Sequence, residues 1–329
     1  MRKIVVIGSN SFSGQDFVDL LLEDKGNEVI GISRSPEISP LMGKYHRHGR
    51  DRFRFYRFDL NRDSDWVQNL LEAEKPEYIV NFAAQSEVAP SWDHPDHWYQ
   101  TNGVGIVRLV NPLREAKWLK KYVHISSPEI YGNCEGVVTE ASPMNPTTPY
   151  AASKAAGDLF LFTLVKNFGF PLTMIRATNV YGPRQQLFKI IPRTAIYQQL
   201  DKKVQLHGGG VAVKSFIHIR DVSKGEMMAM EQGDIGSIYH FSPDRGHSVR
   251  EIVEKMCEIS GKKFEEATEI VGERLGQDSA YVIDSTKARK QFGWKPEISI
   301  DTGLGEAIDW VSGNWNEIKE KNLTYTHKE

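Results

Sequence analysis

Only two of the 329 residues are cysteine, Cys134 and Cys257, and they lie far apart. That scarcity argues against a disulfide framework and against a cysteine-built metal knuckle, so no metal site is expected. The pair is read as reduced thiols in a cytoplasmic chain with no secretory leader. Excess charge of one sign is also missing. The formal net charge of -2 gives no electrostatic reason to expect nucleic acid or a membrane surface as a partner. Long apolar runs are absent as well. Met1-Arg2-Lys3 followed by Ile4 to Ile7 imitates the start of a signal peptide, but the run stops at Gly8, too short for a leader core or a membrane span. No internal repeat or low-complexity tract is found. What remains is 40% hydrophobic and 26% charged residues, an ordinary globular balance, in a chain long enough for a nucleotide-binding sheet and a smaller lobe.

Short apolar runs recur with helix-like stretches between them: Ile4 to Ile7, Glu28 to Ile32, Phe53 to Phe58, Tyr78 to Phe82, Tyr122 to Ile125 and Leu172 to Ile175. Runs this short, rich in Val, Ile, Phe and Tyr and alternating with amphipathic segments such as Phe17 to Leu22, predict a parallel sheet covered by helices on both faces. The fold class is therefore α/β, a doubly wound Rossmann-type sheet with a smaller C-terminal substrate-binding domain. Past about residue 178, Pro183, Pro192, Gly208 to Gly210 and Pro243 break the alternation. The expected division is 1–177 for the dinucleotide-binding domain, with segments near 215–241 returning to it, and 178–329 mainly for substrate. The basic stretch from Lys44 to Arg57 reads as a solvated loop entering an amphipathic strand, with a contact to cofactor phosphate or a partner subunit as the other option.

Directly after the first run comes Gly8-Ser9-Asn10-Ser11-Phe12-Ser13-Gly14, leading into a predicted helix. A turn without side chains lets backbone approach a pyrophosphate, whose charge then meets the free N–H groups of the helix start. The turn, with Gly8, Ser11, Phe12 and Gly14 as cofactor contacts, points to dinucleotide binding; a plain strand–helix turn would look similar. At the end of the second strand, where an acid would hold the ribose hydroxyls of NAD, stand Ser33 and Arg34. A guanidinium suits a 2′-phosphate, which favours NADP over NAD, though Arg can also stack on adenine. Asp59 and Leu60 after the third strand, and Ala83 and Ala84 after the fourth, fall where further cofactor contacts are expected.

Tyr150-Ala151-Ala152-Ser153-Lys154 places a phenol and an ammonium four residues apart, on one helical face. A nearby ammonium favours the phenolate and is expected to pull the tyrosine below its reference pKa of about 10. With Asn81-Phe82-Ala83-Ala84, Ser126 to Gly132, Asn179 to Arg184 and Phe216 to Val222, this constellation resembles the extended short-chain dehydrogenase/reductases, specifically the NAD(P)-dependent epimerase/dehydratase family acting on nucleotide sugars. The resemblance covers nearly the whole chain. It implies that Tyr150 deprotonates a sugar hydroxyl while hydride passes to a tightly bound NAD or NADP regenerated in each cycle. It also implies that Lys154 holds the nicotinamide ribose and that Ser127 hydrogen-bonds the reacting oxygen.

Glu129, in Ser126-Ser127-Pro128-Glu129-Ile130-Tyr131-Gly132, falls where the resemblance puts the glutamate that removes the C5 proton in sugar 4,6-dehydratases. The other reading of this carboxylate is a solvated helix cap. Pro128 departs from the pattern, since an aspartate that protonates the leaving hydroxyl is common there and proline offers neither a donor side chain nor an N–H. The expected reaction is C4 oxidation, loss of water across C5 and C6 and return of the hydride, giving a 4-keto-6-deoxy sugar. The alternatives are a 4-epimerase or UDP-glucuronate-type decarboxylase of the same family, or a non-catalytic dinucleotide sensor. For the substrate the resemblance suggests Ser86, Asn179, Lys189, Lys214 and Arg274, the last beside Asp278 and before Tyr281 to Asp284. A homodimer is expected through the Tyr150 helix and the helix from about Tyr99 to Lys117. Leu159, Phe160, Phe162, Val107 and Leu109 on those helices could equally be core.

Overall fold

The computed structural model describes residues 1–132, 136–272 and 283–328. Six parallel strands come from the first part of the chain: β1 (Arg2–Ile7), β2 (Asn27–Ser33), β3 (Phe53–Arg57), β4 (Tyr78–Asn81), β5 (Lys121–Ile125) and β6 (Leu172–Ala177). They are followed by β7 (Asn179–Tyr181), β8 (Val204–His207), β9 (Val213–Lys214), β10 (Phe216–His218), β11 (Ser237–Phe241), β12 (His247–Ser248) and β13 (Thr268–Val271). The main sheet runs β11-β6-β5-β4-β1-β2-β3, and each neighbouring pair is parallel. Strand order reverses between β1 and β4, which opens a crevice at their carboxyl ends, the place where such sheets bind ligands.

Alternation within β1 shows why the sheet is covered on both faces. Ile4 and Val6 join the core on one side with Phe17, Leu21 and Val222, while Val5 and Ile7 join the core on the other with Leu71, Leu109 and Leu161. Each such aliphatic side chain, fully withdrawn from water, contributes about 1.5–3 kcal/mol. β11 is not one of the six apolar runs. Its segment, Ser-Ile-Tyr-His-Phe, is not an apolar run, because Tyr239 and His240 are buried with their polar atoms bonded to distant partners, Gln291 and Tyr131.

The helices that position the site are α1 (Phe12–Glu23), α2 (Ser64–Glu74), α3 (Pro95–Tyr99), α4 (Ile106–Val110), α5 (Pro149–Phe168), α6 (Ile190–Gln199), α7 (Ile219–Gln232) and α8 (Val249–Ser260). α5 starts where Thr148 accepts from Ala151 N–H and Pro149 occupies a position needing no donor. It stops at Gly169, left-handed at φ +64°. α3 and α4 are joined by a π-helical turn, Gln100–Gly105, and the rod ends in a 3-10 turn at Asn111–Leu113, where Pro112 cannot continue it; the expected helix to Lys117 is therefore shorter. Gly157 lets α5 touch that π turn, since a Cβ there would lie 2.4 Å from the Asn102 carbonyl. The basic stretch is more firmly held than a solvated loop. Arg47 pairs with Asp19 and Glu23, Arg54 with Glu28 and Glu74, and Arg52 donates to the Leu22 carbonyl near the end of α1. A third core cluster joins α6, α8 and the helix Ile300–Gly313. No helix among the described residues is long and apolar enough to cross a membrane.

Candidate active site

The crevice at the strand reversal is one groove in two halves that meet at Ser11, Phe82 and Ala84. The first half is lined by Gly8, Asn10, Ser33, Arg34, Phe58, Asp59, Leu60, Ala83 and Thr101, among others. Gly8 adopts φ +82°, and a Cβ there would sit 2.6 Å from Ala83 N; one on Gly14 would sit 2.3 Å from the Gly8 carbonyl. These glycines bring the turn against the end of β4 and the first turn of α1, whose N-cap Ser11 accepts from Gly14 N–H at 3.0 Å. Ser33 is buried and accepts from Asn10 N–H at 3.0 Å. Asp59 accepts from Asn61 N–H at 2.9 Å, which shapes the loop after β3.

The second half, a cavity of about 380 Å³, is lined by Phe12, Ser86, Glu87, Ser127, Pro128, Glu129, Tyr150, Lys154, Asn179, Lys189 and Glu226, among others. Tyr150 and Lys154 share one face of α5, with Asp158 a further turn along. Lys154 Nζ donates to the Ile125 carbonyl at 2.8 Å, and burial brings the ammonium down to about 8. The expected lowering of the Tyr150 pKa is not seen. Burial, then the Glu129 carboxylate, push the phenol well above its usual value, and only the hydrogen bond with Ser127 acts noticeably the other way. The i, i+4 spacing puts both groups on one face, but the ammonium is engaged by a backbone carbonyl and the phenol lies near the Glu129 carboxylate.

A buried polar network holds this wall. Ser126 donates to Asp158 at 2.5 Å, Arg176 pairs with the same carboxylate at 3.0 Å and donates to Tyr131, and Tyr131 bonds His240 at 2.8 Å. Ser127 caps the 3-10 turn Pro128–Tyr131 by accepting from Glu129 N–H, and Pro128 takes the first position, where no donor is needed. On the opposite side, Asn102 accepts from Gln85 N–H at 2.9 Å and donates to the Gln85 carbonyl and to Ser153 at 2.9 Å each. One amide thereby joins the loop after β4 to the helix of Tyr150.

Three buried side-chain oxygens that face the groove, Asn179 Oδ1, Gln185 Oε1 and Glu226 Oε2, have no hydrogen-bond partner. Leaving such groups unpaired costs about 1–3 kcal/mol each. Lys189, at the start of α6, instead pairs with Glu87 at 2.8 Å. Lys214 lies on β9 opposite His247 and is not part of the groove wall, whereas Phe216 two residues on is. Arg274, Asp278, Tyr281 and Cys134 lie outside the described residues. Sequence reasoning missed Asn10, a member of the glycine-rich turn not singled out, and Glu87, Thr101, Gln185 and Glu226, which belong to no motif. Among the described residues no group of three His, Cys, Asp or Glu side chains could hold a metal ion.

Residues 5–307 match the family model described as GDP-mannose 4,6 dehydratase. A human dTDP-D-glucose 4,6-dehydratase is 28% identical over 325 residues, covering 97% of this chain and 92% of its own. A trifunctional UDP-glucose 4,6-dehydratase/3,5-epimerase/reductase of Arabidopsis thaliana is 26% identical over 96% of this chain, which spans 48%, about half, of that longer protein. Among solved structures, the dTDP-glucose 4,6-dehydratase DesIV of Streptomyces venezuelae, determined with NAD bound, superposes with a TM-score of 0.88 at 28% identity, over 95% of this chain and 98% of its own. With its reversed parallel sheet, glycine cradle and Tyr150/Lys154 helix, the chain belongs to the GDP-mannose 4,6 dehydratase family of extended short-chain dehydrogenase/reductases.

Proposed function

We propose that this chain is an NAD(P)-dependent nucleotide-sugar 4,6-dehydratase that converts a nucleoside-diphosphate hexose to its 4-keto-6-deoxy form. The observation that carries this is the placement of Glu129 in the same cavity as Tyr150, close enough for its charge to act on the phenol. The dinucleotide fits the cradle that side chains at Gly8 and Gly14 would fill. Gly8, Ser11, Phe12 and Gly14 would hold its pyrophosphate, Ser33, Arg34, Asp59 and Leu60 its adenosine, and Ala83, Ala84, Tyr150 and Lys154 the remainder. Arg34 is the residue that decides between NADP and NAD. When bound, NAD(P) supplies the chemistry of accepting a hydride from C4 and returning it to C6.

Tyr150 takes the proton of the C4 hydroxyl, and Ser127 orients the same oxygen. Two neighbouring anions are unfavourable, so the phenolate forms only against countercharge, which Lys154 supplies. The C5 proton, acidified by the adjacent C4 ketone, then passes to the Glu129 carboxylate in the same cavity. Pro128 has no proton to give, so Glu129 passes its new proton to the departing C6 hydroxyl, which leaves as water. The proton that Tyr150 accepted from the C4 hydroxyl is passed on to C5, by way of Glu129, which completes the product and restores both side chains. Ser86, Asn179 and Lys189 in the groove wall are the proposed substrate contacts, with Lys214, off that wall, and Arg274, outside the described residues, proposed to reach the diphosphate. Lys189 must leave Glu87 to meet a diphosphate.

Homodimerisation is proposed through α5 and the rod of α3, the π turn and α4, where Leu159 is 58%, Tyr99 43%, Val104 41% and Val107 38% exposed, whereas Leu109 is core. Leu159→Arg should yield a monomer by light scattering. The reaction is tested by mass spectrometry of UDP-, GDP-, CDP- and dTDP-hexoses incubated with the protein and NAD(P). Loss of one water from one substrate, abolished by Tyr150→Phe and Glu129→Gln, is expected. Unchanged mass with inversion at C4, or loss of carbon dioxide from a uronate, would show the epimerase or decarboxylase reaction instead.

A further inference from the structure

We propose that residues 324–328 form a strap over the mouth of the groove that retains the dinucleotide between turnovers. The inference rests on the reading of the first half of the groove as a dinucleotide site. The chain is anchored up to Leu323, which packs against the cluster containing Tyr181, Ile191 and Trp310. Beyond it, three successive contacts cross from one bank of the groove to the other. Tyr325 sets its ring edge against Phe188, centroids 5.5 Å apart and planes at 73°, next to the proposed diphosphate contact Lys189. His327 then enters a cluster of near-parallel rings made by His94, His97 and Trp98, with centroids 4.9, 5.1 and 5.2 Å away. A hydrogen bond of 2.8 Å links His97 Nδ1 and His327 Nε2, and the Tyr325 hydroxyl lies 3.3 Å from His327 Nδ1. Finally the Lys328 carbonyl accepts from Arg34 Nη1 at 3.3 Å and from Gln85 Nε2 at 2.5 Å.

The ends of this path matter most. Phe188 lies on the bank with the proposed sugar contacts, whereas Arg34 lines the opposite half of the groove and Gln85 follows directly on its Ala83-Ala84 wall. None of residues 324–328 lines either half, so the segment leaves the groove itself unfilled while tying Phe188 to Arg34 and Gln85. The Glu87–Lys189 ion pair lies in the wall of the second half. A dinucleotide seated in the first half is held in by the strap, and release requires the strap to part. The strap is held by a few ring contacts and hydrogen bonds at its tip, while five residues must be ordered, so its docked and released states lie close in free energy and it can open without unfolding the sheet. In the docked state Arg34 spends one N–H on a neutral carbonyl, a weaker partner than a phosphate, so a dinucleotide carrying a 2′-phosphate competes for it.

The test is the dissociation rate of NADH and NADPH, followed by fluorescence after rapid mixing with excess oxidised dinucleotide. The full chain is compared with a chain ended after Leu323 and with the full-length double variant Tyr325→Ala/His327→Ala, each checked for unchanged circular dichroism. Both variants should release the reduced dinucleotide roughly tenfold faster or more, the change lying mainly in dissociation. Release at the full-length rate in a folded variant overturns the strap and leaves the dinucleotide site standing. A full chain that binds neither dinucleotide overturns the site itself and the strap with it.

Discussion

Replacing Lys154 by methionine should make the dinucleotide-free protein more stable at pH 7 while removing turnover. The ammonium is buried, and burial lowers its pKa from 10.5 to about 8, with Asp158 opposing the fall and Arg176 adding to it. Between those values the folded chain holds fewer protons than the unfolded one at this residue. Stability therefore rises with pH across that interval, and below about pH 8 the full penalty is present. A difference of about 2.5 in pKa, at about 1.36 kcal/mol each, amounts to about 3 kcal/mol. Methionine removes that penalty and fills similar space, but it leaves the Ile125 carbonyl without its 2.8 Å donor, at a cost of about 1 kcal/mol. The net gain at pH 7 is about 2 kcal/mol. At pH 10 most of the penalty has already gone, and the two proteins should unfold alike. Urea denaturation of both at pH 7 and pH 10 measures the gap directly. A variant less stable at pH 7, or a gap that is the same at both values, would refute the reasoning.

Gly8→Ala should cost about 1–3 kcal/mol in thermal denaturation and eliminate dinucleotide binding in a fluorescence titration, because its Cβ would meet Ala83 N at 2.6 Å from a left-handed backbone. Asp158→Leu leaves Arg176 buried without its anion and should lose about 3–5 kcal/mol in urea unfolding, most of which the double variant with Arg176→Met regains. Glu129→Gln removes a negative charge that raises the Tyr150 pKa, so the acidic limb of the pH profile for C4 oxidation should move to lower pH even as dehydration stops. An acidic limb that stays in place in single-turnover measurements would count against the coupling.

How much of this was legible in the sequence depends on whether a residue acts through its neighbours in the chain or across the fold. Six strands announce themselves as short apolar runs because both faces of a central parallel strand are buried. β11 does not, since its His240 is tolerated inside only by Tyr131 and a carbonyl of the segment after β13, neither of which local reading can supply. Tyr150 and Lys154 are visible because a helix converts their spacing into a shared face. The direction of the phenol's acidity is not, because it is set by Glu129 and by burial, which belong to another loop and to the assembled core. Glu87 and Glu226 are single acidic residues in unremarkable sequence. Only the groove shows that one is held by Lys189 and that the other has a buried oxygen without a partner.

The amide of Asn102 has a consequence for which substitutions the chain can tolerate. Its position demands a side chain that accepts from an N–H and donates to both a carbonyl and a hydroxyl within one short reach. Aspartate keeps the acceptor and loses both donations, leucine loses all three, and glutamine has the right groups one methylene too far out. In a saturation library selected for function, position 102 should therefore accept almost nothing but asparagine, although the residue lines neither half of the groove.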